Sequence, residues 1–211
     1  MKRLAGKVAI VTGGLSGIGH AVAQRFATEG AVAIAADLAT DATVIGGDPI
    51  SPLRVDITDP SSVDGMVRAV ADKHGRVDCL VNSAGVAQDT PFLELSLEAF
   101  DRMVAVNLCG SFIVGQAVAR VMAHQRCGSI VNVASISGMV GSAGRAGYGA
   151  SKGGVVILSK VMAVDLAPFG IRVNVLAPGP VETPLVAQVH TASARAQYGP
   201  FPTVILVANS P

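Results

Sequence analysis

The chain has 211 residues, half of them hydrophobic and 15% charged, which is ample material for a buried core; this excludes a disordered polypeptide and predicts one domain over residues 1–211. Sixteen Lys and Arg against fifteen Asp and Glu leave a net charge of +1, without the basic excess that binding to nucleic acid or an anionic membrane would demand. Cys79, Cys109 and Cys127 share no metal-ligand spacing with one another or with the four histidines, so neither a disulfide framework nor a metal site is expected, only reduced and mostly buried thiols.

Met1-Lys2-Arg3-Leu4 leads into an apolar run at residues 8–11 that glycines stop, too short for a signal segment, and no run approaches the ~18 apolar residues of a membrane span. A cytoplasmic protein is expected. Residues 7–12 read as a first strand, followed by a glycine-rich turn and a helix over residues 17–29 that Gly30 closes. Residues 31–37 form the next strand, then a polar link, then a strand over residues 53–57. Asp59-Pro60-Ser61 starts a helix whose Val63, Met66, Val67 and Val70 recur at helical spacing. Strands follow at residues 77–82, 129–134 and 171–176, joined by helices over residues 97–122, with a break near Asn107, and over residues 147–166.

Strands apolar on both faces and separated by helices predict a doubly wound parallel α/β sheet, a Rossmann fold, because each right-handed crossover lays a helix on one face.

Thr12-Gly13-Gly14-Leu15-Ser16-Gly17-Ile18-Gly19 falls where the first strand meets the first helix. Gly13, Gly17 and Gly19 allow a tight turn, close approach of backbone amides to a pyrophosphate, and close helix–sheet packing, with the helix N-terminus facing the anion. In a chain of 24 glycines the cluster also suits an ordinary strand-to-helix turn. Asp37 ends the second strand eighteen residues beyond Gly19, where a carboxylate accepts ribose hydroxyls and repels a 2′-phosphate. No Lys or Arg occupies residues 14–16 or 38–40, so NAD is favoured over NADP; the plainer reading of Asp37 is a solvated strand end.

Tyr148-Gly-Ala-Ser-Lys152 puts a phenol and an ammonium one helical turn apart, and a nearby cation favours the phenolate. The same spacing is also common on plain helix surfaces. Ser135, thirteen residues earlier at a strand end, can hydrogen-bond the same substrate oxygen or serve as a turn cap.

Taken together, residues 12–19, Asn82-Ser-Ala-Gly85, Asn107, Ser135, Tyr148 with Lys152, and Pro178-Gly179 with Thr183 resemble the classical short-chain dehydrogenases/reductases, in order and spacing, over roughly residues 5–185. The resemblance implies Tyr148 as general acid/base, Lys152 lowering its pKa and holding the nicotinamide ribose, Ser135 orienting the substrate oxygen, and Asn107 supporting a water relay that recharges Lys152. It also implies a cofactor cleft formed by Gly13, Ser16, Gly17, Ile18, Gly19, Asp37, Asp56 at the adenine, Asn82, Ala84, Gly85, Pro178 and Gly179, with Val181 and Thr183 on the carboxamide. Independently of the resemblance, Gly13, Asp37, Asn82, Ser135 and Pro178 all fall at carboxyl ends of expected parallel strands, where open α/β sheets bind ligands.

The expected reaction is hydride transfer between nicotinamide and a secondary alcohol or ketone: a polyol or sugar, a hydroxyacyl compound or a steroid-like molecule. The alternative is an NAD(H)-binding protein without turnover, a sensor or assembly subunit. The resemblance also implies a homo-oligomer, dimer or tetramer, pairing through its two long helices.

The chain departs from the family after Thr183, where only twenty-eight residues follow and the usual substrate-covering insert is missing. Ser83 stands where a second Asn is more common. The tail reads either as a short helix, a Pro-Phe-Pro turn and a strand over residues 203–208 reached by a compressed parallel crossover, or as an altered end that leaves the sixth strand an unprotected edge.

Overall fold

The computed structural model describes residues 2–41, 49–189 and 204–207. Four parallel strands supply the centre of the sheet: β1 (Val8–Thr12), β2 (Val32–Asp37), β4 (Cys79–Asn82) and β5 (Gly128–Val133). Their β-branched and alanine-rich sequences leave Ala9, Ile10, Val11, Ile34 and Leu80 without exposed surface, as strands covered on both faces require. With β3 (Ile50–Arg54), β6 (Ile171–Pro178) and β7 (Val204–Val207) they form one sheet in the order β3-β2-β1-β4-β5-β6-β7.

Register decides where the chain can hold a ligand. Thr12 of β1 lies opposite both Ala36 of β2 and Asn82 of β4, and Asn82 lies opposite Asn132 of β5. The carboxyl ends of four strands are therefore level, and the segments leaving them open along one edge. Strand order reverses between β1 and β4, which makes a crevice there.

Helices cover both faces. α1 (Gly17–Thr28) lays Ala23 on Val11, Ala33 and Val81. On the opposite face, α2 (Pro60–His74) and α4 (Gly110–Gln125) bury Val63, Met66, Val70, Val114, Val118 and Met122 against Ile10, Ile34, Leu80 and Ile130. Asp59 caps α2 by accepting the Ser61 amide at 2.9 Å, and Gly75 ends it in a left-handed conformation at φ +72°. α3 (Leu97–Val104) runs into α4 through a π-helical turn at Ala105–Cys109, the break expected near Asn107. The run Leu97–Gln125 is long and apolar enough to cross a membrane by length and composition, yet α4 is a core helix bearing on the sheet. α5 (Ala146–Leu166) lies beside α4 on the same face, and α6 (Pro184–Val189) follows β6.

Three expectations are corrected. β3 begins three residues earlier than residues 53–57 suggest and contains Pro52; it is an edge strand, where a residue without an amide hydrogen is tolerated. β7 is antiparallel to β6, with Val175 opposite Val207 and Pro178 opposite Val204, so the tail returns along β6 rather than crossing the sheet, and β6 is not left as a bare edge. The expected tail helix is α6, the turn at residues 200–202 lies outside the described residues, and so do residues 203 and 208. Of the cysteines, Cys109 and Cys127 are exposed and Cys79 is half-buried, all three with free thiols.

Candidate active site

A cleft of about 500 Å³ opens at the carboxyl ends of the strands. Gly13, Ser16, Gly17, Ile18, Asp37, Asp56, Ala84, Gly85, Ser135, Tyr148, Lys152, Pro178, Gly179, Val181 and Thr183 line it, so most of the residues singled out in the sequence meet in one place.

At its dinucleotide end the glycines are required by contact. Gly13 has φ +64°, and a Cβ there would come within 2.9 Å of the Ala84 backbone. Gly17, at φ +51°, opens α1 opposite Thr183. Gly19 does not line the cleft: it sits behind the turn, where a Cβ would collide with the Gly13 carbonyl, and so lets α1 pack onto the loop. Asp37 is held at the rim by two backbone amides, its carboxylate accepting from Leu15 at 3.2 Å and Ala39 at 3.0 Å. Asp56 accepts from the Thr58 amide at 2.9 Å and the Thr58 hydroxyl at 2.7 Å, which closes the turn into α2.

Asn82 is corrected. Its side chain is buried away from the cleft, donating to Asn132 Oδ1 at 2.9 Å and the Ser111 carbonyl at 3.3 Å, and it ties β4 to β5 and α4 rather than facing a ligand. The residues that follow do reach the cleft, because Thr12 Oγ1 accepts the amides of Ser83 and Ala84 at 3.1 and 3.3 Å.

At the other end α5 presents Tyr148 and Lys152. Lys152 is 4% exposed and donates from Nζ to the Val133 carbonyl at 2.8 Å; burial pushes its ammonium down to about 8. The Ser135 hydroxyl hydrogen-bonds the Tyr148 phenol and also accepts the Ser137 amide at 3.2 Å, so this serine caps the turn after β5 and stands beside Tyr148 in the cleft. Burial pushes the Tyr148 phenol up, opposed by the Ser135 bond and the Arg145 guanidinium, with Asp89 adding to the rise. The expected lowering of the phenol by Lys152 is therefore corrected. The ammonium lies 5.9 Å from the ring centroid and points to the Val133 carbonyl, and desolvation of the phenol dominates.

Asn107, fully buried in the π-helical turn, clasps Val86: its Oδ1 accepts the Val86 amide at 2.8 Å, and its Nδ2 donates to the Val86 carbonyl and to Ser151 Oγ, both at 2.9 Å. The Asn107 backbone carbonyl accepts from Ser111 Oγ at 2.7 Å. Gly85 is needed beside it, since a Cβ there would stand 3.0 Å from Asn107 Oδ1 and 3.4 Å from Lys152 Nζ.

Sequence reasoning missed Ser151, which precedes Lys152 and braces Asn107. It also missed Arg145, three residues before Tyr148, whose Nε bonds Asp89 Oδ1 at 2.9 Å while its guanidinium carbon sits 5.3 Å from the Tyr148 ring centroid. Glycines flank Arg145 at positions 144 and 147, and a lone arginine in such a segment carries no readable pattern. Arg54, opposite Asp37 in register, donates to the Leu38 and Thr40 carbonyls at 3.1 and 3.2 Å; residues 38–40 taken alone give no sign of it.

The family model for short chain dehydrogenases matches residues 7–194. The 3-oxoacyl-(acyl-carrier-protein) reductase FabG of Thermotoga maritima is 41% identical over 94% of this chain and 86% of its own length. The D-threitol dehydrogenase of Mycolicibacterium smegmatis is 45% identical over 87% of this chain and 73% of its own. The crystal structure of levodione reductase superposes with a TM-score of 0.83 at 33% identity, covering 88% of this chain and 76% of that one. With this sheet, this cleft and these likenesses, the chain belongs to the short chain dehydrogenase family of oxidoreductases.

Proposed function

We propose that the protein is an NAD-dependent oxidoreductase that moves a hydride between nicotinamide and a secondary alcohol or ketone carbon, with Tyr148 as general acid/base. The observation that carries this reading is the convergence of Tyr148, Ser135 and Lys152 on the same cleft as Gly13, Gly17 and Asp37. The cleft suits a dinucleotide on its own geometry, because it lies at the carboxyl ends of the strands where the strand order reverses, with Gly17 opening α1 on its wall. Gly13, Ser16, Gly17 and Ile18 would hold the pyrophosphate, Asp37 the adenosine ribose, Asp56 the adenine side, Lys152 the nicotinamide ribose, and Val181 with Thr183 the carboxamide. When bound, the cofactor supplies the hydride acceptor or donor.

The chain's own residues handle the proton. Ser135 fixes the substrate oxygen within reach of Tyr148, whose phenolate takes the hydroxyl proton during oxidation and whose phenol gives a proton back during reduction. Arg145 is the cation beside that phenol that favours its ionised form, while Lys152 points to the Val133 carbonyl and is placed for the nicotinamide ribose. Asn107 fixes the segment around Val86 that walls the site.

Asp37 supports NAD over NADP, since its carboxylate at the cleft rim opposes a 2′-phosphate, and the Arg54 guanidinium nearby is engaged by the Leu38 and Thr40 carbonyls. The names of two relatives cover an oxoacyl substrate and a polyol, so both classes, with hydroxysteroids, belong in a first screen. We also infer a homo-oligomer, supported by the apolar side chains Phe112, Ile157, Val161 and Val164 that α4 and α5 leave exposed, and propose a cytoplasmic location for it.

The test is turnover of NAD and NADP over those three substrate classes, with Tyr148→Phe alongside. The expected result is NAD-linked oxidation that falls by about 10²–10⁴-fold in Tyr148→Phe, while NADH binding stays near that of the parent. Tight NADH binding with no turnover of any alcohol or ketone overturns the enzyme reading in favour of a binding protein.

A further inference from the structure

We infer that Arg145, held by Asp89, is a positioning residue for Tyr148: a guanidinium set over the ring that keeps the phenol in reach of its ionised form. The inference rests on the acid/base role proposed for Tyr148 and adds a group outside the residues expected from the sequence.

Arg145 is the residue directly before α5, and its side chain is only 10% exposed. Asp89, 30% exposed, reaches it from the segment that follows β4, and the Thr90 amide donates to the Gly144 carbonyl at 3.0 Å, so the two segments are clasped by backbone and side chain together. The guanidinium carbon is 5.3 Å from the Tyr148 ring centroid, nearer than the 5.9 Å of Lys152 Nζ. The guanidinium thus lies over the ring, while the Ser135 hydroxyl bonds the phenol.

The charges facing Tyr148 come from each element around it. Lys152 lies on its own helix and Arg145 at that helix's start; Asp89 comes from the segment after β4, and Arg102 of α3 stands on the cleft wall. Ser135, from the end of β5, does not titrate. Of the two cations within 6 Å of the ring, the ammonium loses its proton at about 8, whereas a guanidinium stays charged throughout the working range. Asp89 has two opposed effects: it holds the guanidinium over the ring, and its own negative charge disfavours the phenolate. Removing the charge of Arg145 should therefore raise the phenol, and restoring a cation at that position should bring it back.

The chain has two tyrosines and no tryptophan, which gives a direct readout. In a Tyr198→Phe background, the near-ultraviolet absorbance of tyrosinate reports Tyr148 alone. Arg145→Gln is expected to raise the titration midpoint, and Arg145→Lys, which restores the charge, to keep it near the parent. In the NAD-loaded enzyme, kcat/KM at pH 7 for alcohol oxidation should fall about threefold to tenfold in Arg145→Gln, with KM for substrate little changed. A midpoint that stays put in Arg145→Gln, or that rises as far in Arg145→Lys as in Arg145→Gln, overturns the inference, because the charge and not the packing of the side chain is what should move the phenol. The absorbance titration needs no turnover, so a protein inactive on every alcohol would sink the proposed function while still deciding this point.

Discussion

Lys152 is held at a thermodynamic cost that its place in the cleft accounts for. The ammonium is nearly devoid of solvent and sits at about 8, against the usual ~10.4 of a free lysine. Below pH 8 both folded and unfolded chains hold the proton, and the folded state carries the full penalty. Between about 8 and 10.5 only the unfolded chain keeps it, so rising pH stabilises the fold; above that range the penalty is gone. Lys152→Met should therefore gain on the parent at neutral pH and lose that gain on going alkaline, the difference between them changing by about 3 kcal/mol from pH 7 to pH 10.5. The Val133 carbonyl that loses its donor is a pH-independent loss and cancels in that difference. Urea unfolding of both proteins across the range measures it, and a constant difference would contradict the burial reading. Asp37 offers a second test at this scale. Asp37→Ala removes the carboxylate that opposes a 2′-phosphate, so the ratio of kcat/KM for NAD over NADP should fall at least tenfold, about 1.4 kcal/mol, with the NAD value itself reduced. A ratio that stays unchanged would move cofactor choice to another residue, with Arg54 as the nearest cation in the sheet.

Elements were legible where chemistry is written in short periods. The glycine turn, the Asp59-Pro60 start of α2 and the apolar spacing along it fixed those elements within a residue or two, because capping and periodicity are local. β3 was not legible, since its proline is acceptable only on an edge, and edge position is a property of the sheet. The side-chain direction of Asn82 was equally hidden. The motif puts it beside the cleft, but a β-strand alternates faces, and this residue falls on the face that meets Asn132 and Ser111. Glycines illustrate the same divide and can be tested in pairs. Gly65 lies within α2, and a methyl added there would meet nothing within 4 Å, so Gly65→Ala should stabilise by about 0.5–1 kcal/mol through helix propensity. Gly19, also helical, has the Gly13 carbonyl where that methyl would go; Gly19→Ala should cost about 1–3 kcal/mol and weaken NADH binding as α1 is pushed off the loop. Thermal melts and NADH titration of the two variants check the contrast, and equal behaviour would mean that the close approach does not constrain the turn.

At the scale of the molecule, the parallel sheet followed from one argument, that strands apolar on both faces need helices on both sides, and the order found obeys it through β6. The direction of β7 did not follow, because a four-residue apolar strand carries no mark of which way it runs; only the path of the preceding chain decides that. What the helices do on their outer side is a further consequence of the same layering. Ile157, Val161 and Val164 recur along α5 at spacings of four and three, and so form one stripe pointing away from the sheet, with Phe112 exposed on the neighbouring α4. Val161 is 51% and Val164 73% exposed, a placement that gains nothing for a lone subunit and suits burial against the same stripe of a second copy. The paired change Val161→Glu with Val164→Glu puts like charges face to face across a two-fold axis, while costing the subunit itself little because neither side chain is in its core. Light scattering should therefore find the parent at twice or four times the 21.3 kDa of one chain and the variant at that single mass with its fold intact by circular dichroism. A parent that is already monomeric, or a charged variant that keeps its assembled mass, would show that this stripe does not join subunits.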